Sequence, residues 1–151
     1  PYNIAMHKNK LIFCALGLIL PGSGLNIFYL KGLRNIWAWL HMLALFAGIL
    51  GYQLLGASEM SSPLGWIMAT AGFISLEASW LTTIVYGLRP DEKWDAQFNP
   101  HSNIKNESTW LVIITVILSL MIGAAVMMTG LAIAFEQHFI SQYEAAQKIS
   151  Q

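Results

Sequence analysis

Glu77 is the residue of this sequence with the clearest chemical potential, because it lies alone in a long apolar run. Residues 64–88 contain no other acidic or basic side chain. A charged carboxylate in the middle of a membrane-spanning helix costs ~2.5–3.5 kcal/mol on insertion scales, so an acid at that depth usually has a partner or a task. We consider three roles for it: a protonated group in a structural hydrogen bond, a proton or cation relay, and a contact for another subunit or a ligand.

His41 is the second candidate, since it is the only acidic or basic residue in positions 36–55. A histidine within a membrane span can ligate a haem iron or a chlorin magnesium, and it can change its charge with pH. The sequence has no second histidine within a predicted span to complete a ligand pair. We therefore expect an interfacial, hydrogen-bonding histidine and no cofactor.

Patterns for enzymatic chemistry are absent from the sequence. It contains no nucleophile elbow, P-loop, dinucleotide-binding or HExxH pattern. Its single cysteine, Cys14, cannot form an internal disulfide and belongs to no metal-ligand pattern. A formal net charge of zero provides no basic face for nucleic acid. These observations predict a protein that is not an enzyme and that has no metal site and no nucleic-acid partner.

The composition indicates that lipid surrounds most of the chain. Hydrophobic residues make up 56% of the sequence and charged residues only 11%, whereas a soluble domain carries about 25% charged residues. Three apolar runs, residues 36–55, 64–88 and 110–135, are each long enough at ~1.5 Å per residue to cross a ~30 Å hydrocarbon core. The sequence predicts an all-α integral membrane protein with three transmembrane helices.

Residues 8–32 allow two interpretations. The segment is apolar, but Pro21, Gly22 and Gly24 interrupt its centre, which is typical of a kinked fourth span or of a re-entrant helical hairpin. The hairpin places seven of the eight Lys and Arg residues on one side of the membrane, as the positive-inside rule requires of the cytoplasmic side. The sequence therefore favours the hairpin, with the N-terminus in the cytoplasm and the C-terminus in the periplasm.

The tip of such a hairpin needs hydrogen-bond partners within the protein, because its backbone is irregular at membrane depth. A half-helix of ten residues is ~15 Å long, so the tip reaches nearly the depth of Glu77. We expect Glu77, Ser23 and Asn26 to supply those partners, with the acid accepting from the amides of Ser23 and Gly24. This geometry favours the structural role of Glu77, and it predicts that Glu77→Gln is tolerated while Glu77→Leu abolishes folding or assembly.

Two polar segments flank the third span. Residues 89–99 are predicted to form a short helix on the membrane interface, with Trp94 and Phe98 inserted among the headgroups. Residues 136–151 continue the third span as an amphipathic tail whose apolar stripe lies on lipid or, as we favour, packs on a partner. The stripe comprises Phe139, Tyr143, Ala146 and Ile149.

Small residues recur at three- and four-residue spacing on every predicted span, and such faces let helices approach closely. The third span has more than one small face, which favours contact with a second subunit. The small residues are Ala44, Ala47, Gly48 and Gly51 on the first span, Gly65, Ala69 and Gly72 on the second, and Ser119, Gly123 and Ala124 on the third.

Residues 22–32 carry a glycine pair and, further on, an intact Phe-Tyr-Leu run. This pattern resembles the signature of the TM-two (two-transmembrane) domain family, with Asn26 and Ile27 in place of that family's His-Arg step and Lys31 in place of a glycine. Residues 81–94 also resemble bacterial members with an extra C-terminal helix. The resemblance implies a bacterial inner-membrane protein and no particular activity. The matching residues are Gly22, Gly24, Phe28, Tyr29 and Leu30.

The sequence thus predicts a two-transmembrane-like domain in residues 1–99, followed by a loop, the third span and the tail in residues 100–151. The function that we expect is a non-catalytic accessory or scaffold subunit of a larger inner-membrane complex, bound to other membrane subunits and to the bilayer. One alternative is a small proton- or ion-relay or transport component centred on Glu77. Another is a pigment- or haem-binding subunit that uses His41.

Overall fold

The computed structural model describes residues 7–149, and within this range the regular structure is entirely helical. This confirms the predicted all-α fold class; residues 1–6 and 150–151, at the ends of the two predicted domains, lie outside the described range. In chain order the helices are α1 (Lys10–Ile19), α2 (Leu25–Lys31), α3 (Ile36–Ala57), α4 (Pro63–Gly87), α5 (Asp91–Phe98) and α6 (Trp110–Ile149).

Three of these helices, α3, α4 and α6, are long and apolar enough to cross a membrane. They coincide with the three predicted spans, and most of their large apolar side chains point outward, as they do for Leu43, Phe46 and Leu50 on α3. Such a surface is stable in lipid and not in water. Helix α6 has 40 residues, so it is ~60 Å long, about twice the hydrocarbon thickness, and continues without a break into the predicted tail.

Helices α3 and α4 pack along their small-residue faces. A Cβ atom at Gly48 would lie 2.6 Å from the Cα atom of Gly72, and one at Gly51 would overlap the backbone nitrogen of Ala69. The two backbones are therefore in direct contact, which only small side chains allow. These small-residue faces, including Gly48, therefore pack within the chain.

Helices α1 and α2 form a hairpin. They have ten and seven residues, so neither is long enough to cross a bilayer alone. At the open end of the hairpin, the Lys8 ammonium donates to the Tyr29 carbonyl at 2.7 Å, and the Asn9 amide donates to the Tyr29 hydroxyl at 2.8 Å. The chain thus enters and returns at one level, which selects the hairpin over a kinked fourth span. We call this level, where α4 also ends and α6 begins, the base.

The tip of the hairpin lies against the middle of α4 and the first turn of α3. Gly22 and Gly24 both have φ of +73°, in the left-handed region that favours glycine. A Cβ atom at Gly24 would also overlap the Ala38 carbonyl of α3. Conformation and close approach therefore both require glycine at position 24.

At the base, α5 folds over the hairpin instead of lying among headgroups. Trp94 has no exposed surface and packs on Phe13, Tyr86 and Phe98, with ring centroids 5.5, 6.2 and 4.8 Å away. The prediction that Trp94 inserts into the headgroups is wrong for this reason, whereas Phe98 is half-buried. Burial among rings of α1, α4 and α5 gives the indole more contact area than the interface would.

Candidate functional site

One face of α4 presents a row of hydroxyl groups to the hairpin. Ser75, Ser79 and Thr83 follow one another at four-residue intervals and are all buried. Ser75 donates to the Gly22 carbonyl at 3.1 Å, and Ser79 donates to the Gly17 carbonyl at 3.3 Å. The Gly17 carbonyl lies in the last turn of α1, and the Gly22 carbonyl lies in the tip. Neither has a partner within a helix, so the two serines supply their hydrogen bonds.

The contact between α1 and α4 is closest at Gly17. A Cβ atom there would overlap Oγ1 of Thr83 and lie 3.1 Å from Nδ2 of Asn26. Asn26 is only 3% exposed, and its side-chain Nδ2 has no hydrogen-bond partner in the described part of the chain. The structure thus brings Asn26, predicted as a tip residue, to the inner face of the hairpin.

His41 joins this polar row from α3. Its Nδ1 atom lies 2.8 Å from the Ser75 hydroxyl, whose oxygen is also 3.2 Å from the carbonyl of His41 itself. Ser75 therefore connects α3, α4 and the hairpin tip. One ring nitrogen of His41 is committed to this connection.

Glu77 points to the other side of α4. Residues two apart on a helix face nearly opposite directions, so when Ser75 faces the hairpin, Glu77 faces α6. A Cβ atom at Gly123 of α6 would lie 3.4 Å from Oε2 of Glu77. The side chain is 7% exposed, and its Oε1 has no hydrogen-bond partner within residues 7–149.

The predicted bonds from Glu77 to the tip are therefore not formed, and that part of the prediction is wrong. Ser23 itself supplies the tip's partners, since its hydroxyl donates to the Leu20 carbonyl at 2.6 Å and accepts from the Leu25 amide at 3.3 Å. The remaining hydrogen bond to the tip, at the Gly22 carbonyl, comes from Ser75. The carboxyl group of Glu77 stabilises no backbone of the hairpin.

Further unpaired polar atoms lie along the contact between α4 and α6. Ser119 is fully buried one turn before Gly123, and its hydroxyl has no partner in the described range. The Trp80 indole nitrogen also has no hydrogen-bond partner in the described range. The Trp80 side chain would lie 3.5 Å from a Cβ atom at Gly123. Together with Glu77, these groups make the α4–α6 contact polar at the depth where lipid offers no hydrogen bonds.

The base contains a buried cation that sequence reasoning missed. Lys10 is only 2% exposed, and its ammonium donates to the Arg89 carbonyl, the Asp91 carboxylate and the Ser108 hydroxyl. Burial by itself raises the pKa of Asp91, but the hydrogen bonds from Lys10 and Ser108 outweigh it and lower that pKa. The first residue of α1 is thereby fixed to both ends of the loop between α4 and α6.

A second polar cluster holds the same loop. Asp95 accepts from the side chain of Asn99 at 2.8 Å and from the side chain and amide of Asn106 at 2.6 and 2.7 Å. Burial again acts to raise the pKa of Asp95, and these bonds lower it overall. The Trp94 indole and the Asn106 side chain both donate to the Lys8 carbonyl. Two acids four residues apart on α5 were the only sequence signal for these clusters.

The other predicted residues lie apart from this polar centre. Phe28 packs edge-on against Trp39 with ring centroids 5.0 Å apart, while Tyr29 fixes the base as described above. Phe139 and Tyr143 are 64% and 66% exposed on the tail of α6. Phe139 lies beside the His138 ring with centroids 6.0 Å apart, and the Tyr143 hydroxyl accepts from Gln147 at 2.9 Å; both contacts are within the tail.

The polar row of α4 binds the hairpin and α3 to α4. Within residues 7–149, His, Cys, Asp and Glu side chains form no group of three that could hold a metal ion. Fold and polar centre together define a helical membrane protein with a half-depth hairpin fixed to its second span. Comparisons of the chain with protein-family models, with curated proteins and with solved structures find no match.

Proposed function

We propose that this chain is a non-catalytic accessory or scaffold subunit of a larger bacterial inner-membrane complex. The observation that supports it is the C-terminal half of α6, in which no residue after Gly123 is buried up to the end of the described range. The last close approach to the rest of the chain is at Gly130, where a Cβ atom would overlap the Phe73 ring of α4. The part of the helix that extends beyond the lipid gains little from its own chain, since most helix stability in proteins comes from tertiary packing. A partner that covers this half would supply that packing.

The tail of α6 stands apart from the rest of the chain. A cleft of about 610 Å³ separates it from the loop between α3 and α4. The residues of α6 that face this cleft include Gln137, Ser141 and Glu144. Phe139 and Tyr143 are two residues from Gln137 and Ser141 and therefore point away from the chain. The apolar stripe thus faces away from the rest of the chain, where a neighbouring subunit would meet it.

Location in the bacterial inner membrane and the orientation of the chain belong to the same proposal. Lys31, Arg34 and Arg89 lie at the base and beside it, and the opposite loop contains Glu59 and no Lys or Arg. The positive-inside rule then places the base in the cytoplasm and the tail in the periplasm. The resemblance of the hairpin to the TM-two signature supports the same location.

Native electrophoresis with mass spectrometry, after extraction in mild detergent, tests this proposal. We expect the wild-type chain to migrate in a complex with defined, different subunits. Phe139→Glu combined with Tyr143→Glu should release it, whereas Ser141→Glu combined with Ala145→Glu adds equal charge away from the stripe and should not. A chain that migrates alone or only as a homo-oligomer in wild-type membranes would refute the subunit role. Equal release by both pairs would refute the role of the stripe.

A proton or ion relay centred on Glu77 is a second candidate, favoured by the buried Oε1 atom of that residue, which has no hydrogen-bond partner among residues 7–149. Proton flux into liposomes that contain the purified protein tests it. The relay requires flux in the wild type and its loss in Glu77→Gln, since glutamine keeps the shape and cannot exchange a proton. Equal flux in the two proteins would exclude the relay. Visible absorbance of the same preparation would instead favour a cofactor at His41.

A further inference from the structure

The base contains an open slot between the hairpin and helices α3 and α4. Its volume is about 240 Å³. Lys31 and Trp37 line it on the side of the turn between α2 and α3, and His41 lines it one helical turn further along α3. Phe13, Ile27, Leu30, Thr82 and Tyr86 complete the lining.

The mouth of the slot is cationic. Lys31 lines it, and Arg34 is exposed in the turn that follows α2. The Arg89 guanidinium carbon lies 5.7 Å from the ring centroid of Tyr86, another lining residue. No acidic residue lines the slot, and the ion pair found in the described range joins Lys10 to Asp91 instead. Lys31 at the opening and Arg89 beside Tyr86 thus have no carboxylate partner in the part of the chain that the structure describes, and Arg34 follows Lys31 by three residues.

The interior of the slot is apolar, with two polar groups at its deeper end. Ring and aliphatic side chains of three helices form its walls, and His41 and Thr82 are the polar residues within. A glycerophospholipid combines a phosphate with an acyl chain, which match the cationic residue at the opening and the apolar walls, respectively. Cationic side chains at the interface attract anionic lipid by ~1 kcal/mol each.

We propose that this slot binds one anionic glycerophospholipid. The phosphate lies between Lys31, Arg34 and Arg89, and the upper part of one acyl chain packs on Ile27 and Leu30. This site is independent of the proposed subunit role, because it involves the hairpin and not the tail. It requires only that the base lie at a membrane surface.

Native mass spectrometry of the detergent-purified protein tests the site, with phosphatidylglycerol and phosphatidylcholine as probes. We expect one phosphatidylglycerol to be retained per chain. Lys31→Ala combined with Arg34→Ala should weaken retention about ten- to thirty-fold. Lys93→Ala combined with Lys105→Ala removes the same charge from the other polar segment and should leave retention unchanged.

Two further measurements separate a built site from general attraction to charge. Ile27→Trp fills the slot and keeps every cation, so it should abolish retention while the protein still unfolds cooperatively. Soluble glycerophosphate should not displace the lipid, because it has no acyl chain. Equal retention of phosphatidylcholine, an equal effect of the two charge pairs, unchanged retention in Ile27→Trp, or displacement by glycerophosphate would each overturn the proposal.

Discussion

Removal of Asp91 should destabilise this protein more than removal of Lys10, although the two residues form one ion pair. Lys10 is 2% exposed, whereas the Asp91 side chain is 27% exposed. Asp91→Ala leaves a buried ammonium without its counterion, and removal of one partner of a buried pair costs about 3–5 kcal/mol. We take the lower end, because the Arg89 carbonyl and the Ser108 hydroxyl still accept from Lys10.

Lys10→Met has the milder consequence. Methionine fills a similar volume without a charge, and the carboxylate left behind is partly solvated and keeps its hydrogen bonds from Ser108 at 2.6 Å and closer. Three hydrogen bonds of the ammonium are lost, but the cost of burying its charge is lost with them, so the net destabilisation is about 1 kcal/mol, the scale of one typical hydrogen bond. Asp91→Ala therefore loses more stability than Lys10→Met, because Lys10 is the buried partner of the pair.

Thermal unfolding in mild detergent, followed by tryptophan fluorescence, measures this difference. Trp94 reports on the base because it is fully buried there. At roughly 2–4 °C per kcal/mol for a chain of this size, Asp91→Ala should lower Tm by about 6–12 °C and Lys10→Met by about 2–4 °C. Glu92→Ala, which removes an exposed neighbouring acid, is the control and should change Tm by less than about 2 °C. An equal or reversed order of the two variants would refute the reasoning.

The pH dependence provides a second readout of the same pair. Asp91 has a pKa below its ordinary value of 3.8 in the folded protein, so the folded state holds this proton less tightly than the unfolded state. Its contribution to stability is therefore complete above the ordinary pKa and is lost as the pH falls through the lower, folded pKa. The difference in Tm between wild type and Asp91→Ala should be constant between about pH 5 and 7 and should narrow below pH 4. A difference that grows on acidification would contradict this sign.

Three further predictions concern helix contacts and use the same unfolding assay. Gly48→Ala should lower the free energy of unfolding by about 1–3 kcal/mol, because it forces two backbones apart. The control Gly56→Ala, whose added Cβ meets nothing within 4 Å, should raise it by about 0.5–1 kcal/mol. A stabilised Gly48→Ala variant would contradict the packing. Gly17→Ala should destabilise by a similar 1–3 kcal/mol, and Thr83→Ala should rescue it by removing the overlapped hydroxyl; additive losses would refute this contact. Glu77→Leu should unfold within about 2 °C of wild type or above it, because the carboxyl has no partner in the described chain to lose; a large loss would show that it has one.

The last prediction replaces the one that the sequence favoured. With Glu77 facing α6, folding of the chain alone does not require its carboxyl, and Glu77→Leu can affect only assembly or proton transfer. Loss of the native complex in Glu77→Leu, with an unchanged Tm, would then indicate that a neighbouring subunit supplies the missing hydrogen bond.

The sequence by itself determined the parts of the fold that depend on local physics. The three spans follow from long runs without charge, because each helix in lipid must satisfy its own backbone and present apolar side chains. The hairpin follows from Pro21 with Gly22 and Gly24, and from the clustering of Lys and Arg. Close packing between α3 and α4 was also predictable, since Gly48 and Gly72 belong to small-residue faces that lipid-exposed helices do not need.

Only the tertiary structure decided which side of each helix meets which neighbour. Ser75 and Glu77 are two residues apart on α4, so they have nearly the same depth but point in opposite directions. The prediction used depth alone and therefore put Glu77 against the hairpin, where Ser75 lies instead. Likewise Trp94 has the sequence context of an interfacial residue, yet the turn after α4 folds it onto Phe13. Rotation of a helix about its own axis does not change the hydropathy of its sequence. The rotation is fixed only when the hydrogen bonds and contacts of all helices are satisfied together.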